Sequence, residues 1–160
     1  KEARYIVRIA NKDVDGNLPI ARALQGIKGI GQRFSQVLAY LFEKETGIPA
    51  QTKIGLIPED ADKKLENIVL NSHTYPIPKW MLNRRNDWET GETSHLVMND
   101  LQFSWRKDIQ MMQQIKSYKG IRHSIGQPVR GQRTKSSFRK RGTIVGVQKK
   151  DNKPATAGKK

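Results

Sequence analysis

The chain has no cysteine. Disulfides and thiolate metal sites are thereby excluded. Histidine is scarce as well. His73, His95 and His123 lie far apart and make no ligand-spaced pair, so each reads as structural. Long apolar runs are missing too. Val37-Leu-Ala-Tyr-Leu-Phe42 falls far short of the roughly 20 residues that a membrane helix needs. No signal-peptide pattern opens the chain, and a cytosolic protein is expected. The last absence is the most informative. Between Ile109 and Lys150 there is not one Asp or Glu.

What is present is positive charge, unevenly placed. The formal net charge is +15. From Ile109 to Lys160 run 14 of the 30 Lys and Arg, against Asp151 alone among the 15 acids. The first two-thirds is therefore close to neutral. Gly120, Gly126, Gly131 and Gly142, with Pro128, break the basic stretch too often for a long helix or strand. Such a segment cannot bury enough apolar surface to offset its own ordering entropy. It calls for a polyanionic partner, and RNA is the expected one. An anionic membrane fits less well, because the arm lacks the Leu/Phe/Trp face of an interfacial helix. A plain solvated charge run is the bland alternative. The expected organisation is a globular helical domain over 1–118, an extended basic RNA-binding arm over 119–150, and a mobile tail over 151–160.

In chain order, Tyr5-Ile-Val-Arg-Ile9 reads as a strand and Asp13-Val-Asp-Gly16 as a turn. A short helix follows over Ile20-Ala-Arg-Ala-Leu24. Gly26-Ile-Lys-Gly-Ile-Gly31 is not the dinucleotide fingerprint, because its order is reversed and a helix precedes it. It reads as a tight turn between helices, with Ile27 and Ile30 tucked beneath. A second helix is predicted from about Gln32 to Thr46, stopped by Gly47 and Pro49. Free backbone N–H groups at its start could hold a phosphate, with Gly26, Lys28, Gly29, Gly31 and Arg33 as candidates. A simple compact turn explains the motif equally well.

A third helix starts at Pro58. Glu59, Asp60 and Asp62 are not read as a catalytic or metal cluster, because acids in a first turn favour the helix dipole. Ala61, Leu65, Ile68 and Val69 form its buried side. Pro76 and Pro78 hold an extended connector. Trp80 and Leu82 are expected to cap the core, and Trp88 is either a clamp or a contact residue in a polar loop. A long helix is predicted from about His95 to Tyr118. Its core stripe would be Met98, Leu101, Trp105, Ile109, Met112 and Ile115, with Gly120 as C-cap. That helix would fix where the arm begins. Within the arm, Arg and Lys can neutralise phosphates, the glycines let the backbone approach RNA, and Phe138 can stack on a base or wedge into a crevice. Thr143-Ile-Val-Gly-Val147 is a brief apolar island.

Three motifs together carry a family resemblance: Gly26-Ile-Lys-Gly-Ile-Gly31, Tyr118-Lys-Gly-Ile-Arg-His123, and Pro128-Val-Arg-Gly-Gln-Arg-Thr134. The chain closely resembles the family of universal ribosomal protein thirteen of the small subunit. Ile77-Pro-Lys-Trp-Met-Leu-Asn83, Asp87-Trp-Glu-Thr-Gly91, Ser137-Phe-Arg139 and Thr143–Val147 are similar to its archaeal-type form. The resemblance implies a mainly α fold of helix-two-turns-helix type with a short N-terminal β segment, one long helix and an extended basic tail. It implies a place in the head of the small ribosomal subunit. The implied partners are small-subunit rRNA, peptidyl-site tRNA, ribosomal protein nineteen of the small subunit, and ribosomal protein five and rRNA of the large subunit. Carried over by motif, the rRNA contacts would be Lys119, Gly120, Arg122, His123, Arg130, Gly131, Arg133, Thr134 and Lys135. Phe138, Arg139, Lys140 and Arg141 would form the distal rRNA or tRNA contact. Ser124-Ile125 stands where some relatives are more basic.

No catalysis and no cofactor are expected. A DNA-repair glycosylase is the enzyme alternative, since the same helical module occurs in that class. It needs a nucleophile, a catalytic carboxylate and usually a zinc ribbon. This chain lacks cysteine and a Pro-Glu start. A non-specific nucleic-acid condenser is the remaining alternative, and it would tolerate a scrambled arm of equal charge.

Overall fold

The computed structural model describes residues 3–138. They divide into two compact units between Lys107 and Asp108. The fold is mainly α, with one short two-stranded sheet.

The first unit opens with β1 (Ile6–Ile9) and β2 (Lys12–Asp15), paired antiparallel with Val7 opposite Val14 and Arg8 opposite Asp13. The expected turn at Asp13–Gly16 is overturned, because Asp13, Val14 and Asp15 are strand residues. The reversal is instead Ala10-Asn11, at φ 47° and 61°. Two positive-φ residues form the tight hairpin turn whose twist matches the flanking strands. The turn is tied down by the Ala10 N–H, which donates to Glu66 Oε1 at 3.1 Å. Val7, Ile9 and Val14 face inward and are buried, so this hairpin is held by the helices it packs on.

Helix α1 (Ile20–Leu24) and α2 (Gln32–Thr46) follow the expected boundaries. Gly47 closes α2 in the left-handed conformation, φ 73°, with its N–H on the Glu43 carbonyl. Helix α3 (Glu59–Leu70) begins after Pro58 and buries Ala61, Leu65, Ile68 and Val69. Ile9, Ile20, Leu24, Leu38, Phe42 and Ile54 complete the centre of the core. Of the first-turn acids, Asp62 has a further role. Its Oδ2 sits 2.6 Å from Arg4, which also donates to the Ile57 carbonyl at 2.6 Å. Burial raises the Asp62 carboxyl above its ordinary pKa even so, with Arg4 pulling the other way.

Beyond α3 the chain is irregular, with single 3-10 turns at Ser72–Thr74 and Lys79–Met81. Leu82 is buried as expected. Trp80 is 71% exposed, so it does not cap the core. The 84–94 loop closes on itself. Arg84 and Ser94 exchange backbone hydrogen bonds of 3.1 and 2.8 Å, and Arg84 pairs with Asp87 at 2.9 Å. Trp88 stands at its tip beneath the Lys107 ammonium, 5.8 Å from the ring centre, and Lys107 also pairs with Glu89.

The long helix is shorter than its apolar pattern suggested. Helix α4 runs Met98–Gln114, and no residue in it is buried. Trp105 is 58% exposed and Ile115 69%. Met98 packs half-buried against the core and Leu101 lies beside Gly29, but the stripe is not buried along its length. Spacing at three and four shows that a helix has an apolar face, but not that the same chain covers it. Lys116, at φ 55°, ends the run. A further helix, α5 (Tyr118–Ile125), then forms inside the segment expected to be extended.

Candidate nucleic-acid interface

Two groups of candidate residues were expected, and each falls in one unit. The glycine-turn group lies in the first. Gly29, at φ 104°, makes the reversal, and a Cβ there would meet the Leu96 carbonyl oxygen at 2.8 Å. Ile27 and Ile30 are buried beneath. The 95–98 segment takes up the turn's carbonyls. Met98 N–H donates to Lys28 O at 2.9 Å, and His95 Nε2 lies 3.1 Å from Gly29 O.

His95 is the buried centre of this arrangement. Its ring stacks on Phe34, with centroids 3.9 Å apart. The Asn83 N–H donates to Nδ1 at 3.3 Å, so Nε2 carries the proton and donates to Gly29 O. The Asn83 amide side chain also bonds both backbone groups of Leu96, at 2.7 and 2.8 Å. Sequence reading gave His95 a structural role and missed this linkage, because its partners lie 12 and 66 residues away.

Burial lowers the His95 pKa below its ordinary 6.5, and the Gly29 hydrogen bond opposes this only in part. The unfolded chain therefore binds the proton more readily. His95's contribution is intact above about pH 6.5 and is lost as pH falls below it. A wild-type melting midpoint that drops between pH 7 and pH 5 more steeply than that of H95Q is the expected result. Identical acid slopes would refute it.

The start of α2 is open to solvent. Gly31, its N-cap, supplies no side-chain cap, and Gly31, Gln32 and Arg33 are exposed, as are Gly26 and Lys28. A Cβ on Gly31 would meet nothing. These residues form an uncapped helix start with two cations near it in sequence.

The second group is built on α5. Ser117 caps it. Its Oγ accepts from Gly120 N–H at 3.2 Å and donates to the Met112 carbonyl at 2.9 Å. Gly120 is buried within the first turn of α5 and is not a C-cap. A Cβ there would meet Met112 O at 2.2 Å and Gln113 N at 2.7 Å. Glycine is needed because two helix ends meet backbone to backbone. Ser117 ahead of a helical turn is a start signal that the sequence did carry. The true end of α5 is Gly126, left-handed at φ 73°.

Past Gly126 the chain turns back on α5. Gln127 N–H donates to Arg122 O at 3.0 Å, and Arg122 Nε donates to Pro128 O at 3.1 Å. The Arg122 guanidinium also lies 5.8 Å from the Tyr118 ring centre. Half-buried Arg122 thus braces the turn. Lys119, His123, Arg130, Gly131, Arg133, Thr134, Lys135 and Phe138 are all exposed. Arg139, Lys140, Arg141, the apolar island and the final ten residues lie outside the described residues.

No group of His or acidic residues among the described ones could hold a metal. No described helix is long and apolar enough to cross a membrane. The sequence profile of a family described as ribosomal protein S13/S18 matches residues 8–140. The chain belongs to that family. Small ribosomal subunit protein uS13 of Methanosphaera stadtmanae is 47% identical over 149 residues, 93% of this chain and 94% of that one. The uS13 proteins of Methanothermobacter thermautotrophicus and Methanopyrus kandleri are 45% and 46% identical, each aligned over 97% of its own length. These archaeal relatives agree with the archaeal-type middle of the sequence. The family match spans the glycine turn, the α4–α5 elbow and the basic segment through residue 140.

Proposed function

We propose that the chain is a structural, non-catalytic constituent of the small ribosomal subunit that binds its rRNA. The observation that carries this reading is that the family match continues through the acid-free basic segment. In this proposal Lys119, His123, Arg130, Arg133, Thr134 and Lys135 face phosphate and ribose oxygens. Gly131, at φ 74°, lets the backbone turn close to the RNA. Gly120 and Arg122 hold the geometry from which those side chains project. The finer placement follows the family resemblance: the subunit head beside ribosomal protein nineteen, a bridge to ribosomal protein five and rRNA of the large subunit, and a distal segment directed at peptidyl-site tRNA. The open start of α2, with Lys28 and Arg33, is the proposed second contact, to a phosphate or across the bridge. The expected location is the cytoplasmic ribosome.

Affinity from a basic arm comes mainly from counterion release. With about 8 phosphates neutralised, log K falls against log salt with a slope of roughly −6 to −7. A flat salt response would contradict the proposal. In cells, a chain lacking residues 120–160 is expected to be lost from small subunits, as read by co-sedimentation. Normal incorporation and normal tRNA occupancy would sink it.

A further inference from the structure

The turn-back of residues 126–132 on α5 borders an open, solvent-facing cavity of about 620 Å³, lined wholly by residues of the second unit. Its volume falls within the ~300–1,000 Å³ range of small-molecule sites, although it is open to solvent. Its lining combines apolar Pro128, Val129 and Phe138 with polar His123, Gln127, Arg130 and Gln132. No carboxylate is among the described residues that line it. Phe138 is held at φ 62°, uncommon for a bulky residue, and the residue is 64% exposed. The cavity is shaped by backbone turns and by the Arg122–Pro128 hydrogen bond, not by a core.

We propose that this cavity receives one unstacked nucleotide of RNA, with its base against Phe138 and Pro128 and its phosphate on Arg130. The inference rests on the RNA-binding reading above and goes beyond phosphate neutralisation. Charge selects the ligand class: a cation and an aromatic ring in one lining, with no acid among its described residues, suit an anion that carries a π-system. A base stacked in a duplex cannot enter, so the occupant comes from a bulge, loop or single strand. Gln127 and Gln132 each present a donor and an acceptor, which suits the polar edge of a base. The arm's Gln side chains were expected to bond phosphate or ribose oxygens without being singled out by number, and Val129 was not expected at all, since a valine in a basic tract carries no sequence signal of its own.

The test uses the full chain and two RNA duplexes. One carries a single bulged 2-aminopurine, and the other has that position paired. Wild type is expected to bind the bulged duplex about tenfold more tightly, the order of one base–aromatic stack, and to quench its fluorescence. F138A is expected to bring the affinity ratio close to one and to abolish quenching, whereas F138W preserves both. Equal wild-type affinity for the two duplexes, or an unchanged ratio in F138A, overturns the pocket alone. Failure of wild type to bind either RNA with salt dependence overturns the RNA-binding reading and the pocket with it.

Discussion

Replacing Gly120 by alanine is expected to open the α4–α5 elbow and to cost the protein its place in the ribosome. Helix propensity alone predicts the opposite, since alanine is favoured over glycine by about 1 kcal/mol inside a helix. Sterics decide the sign. The new Cβ would stand 2.2 Å from Met112 O, 2.4 Å from Met112 C and 2.7 Å from Gln113 N. All three are backbone atoms, so no rotamer change relieves the contact. Moving α5 away breaks the Ser117 link that joins Gly120 N–H to the Met112 carbonyl. Losing such a cap costs about 1 kcal/mol, and overpacking adds about 1–3 kcal/mol. Because no charge changes, G120A should keep much of its salt-dependent affinity for RNA. Incorporation into small subunits should fail, because the cations no longer project from the same frame. G120A incorporated at wild-type level, with wild-type helicity by circular dichroism, would show that the close approach is dispensable.

The second large effect is expected at Gly16. Residues 4, 16 and 55 meet backbone to backbone. Arg4 N–H donates to Gly55 O at 3.0 Å, Gly16 N–H to Tyr5 O at 2.7 Å, and Gly55 N–H to Gly16 O at 2.9 Å. A Cβ on Gly16 would lie 1.7 Å from Arg4 O, and one on Gly55 2.3 Å from the same atom. G16A must expel Arg4 and Tyr5, the residues that lead into β1. The Arg4 bonds to Ile57 and Asp62 would go with them. Overpacking plus two or three lost hydrogen bonds amounts to about 3–5 kcal/mol, against a total stability of about 5–15 kcal/mol for a domain. Urea unfolding measures this. G47A is the calibrating variant, because Gly47 has φ 73° but open space for a Cβ. Left-handed strain alone costs about 1–2 kcal/mol. If G16A and G47A lost equal stability, the three-way backbone contact would not be the cause.

The helices that were legible owe it to local chemistry. Helix α2 could be bounded from one sequence because Gly31 and Gly47 sit where the backbone must leave helical geometry, and its inward residues recur at helical spacing. Helix α3 announced itself through Pro58 and three first-turn acids. Helix α4 shows where such reading stops. Its stripe has the right period, yet among the described residues only its start, at Met98, packs on the core, and none of it is fully buried. Gly120 shows the same limit at one residue. Read locally, a glycine after a helical pattern is a terminator. In the structure it is an interior position whose missing side chain makes room for Met112, eight residues earlier.

Sequence alone determined the charge partition, the absence of thiol chemistry, the sequence core of α1 to α3, and the family. These are properties of composition, of local backbone preference and of motifs quoted whole. Tertiary structure alone decided which glycines are turns and which are points of contact, that His95 is held between Gly29 and Asn83, and that Arg122 braces Pro128. It also decided that basic and apolar residues of one short turn share a cavity. Each of these depends on atoms brought together across the fold or across a turn, and linear spacing carries no distance between them.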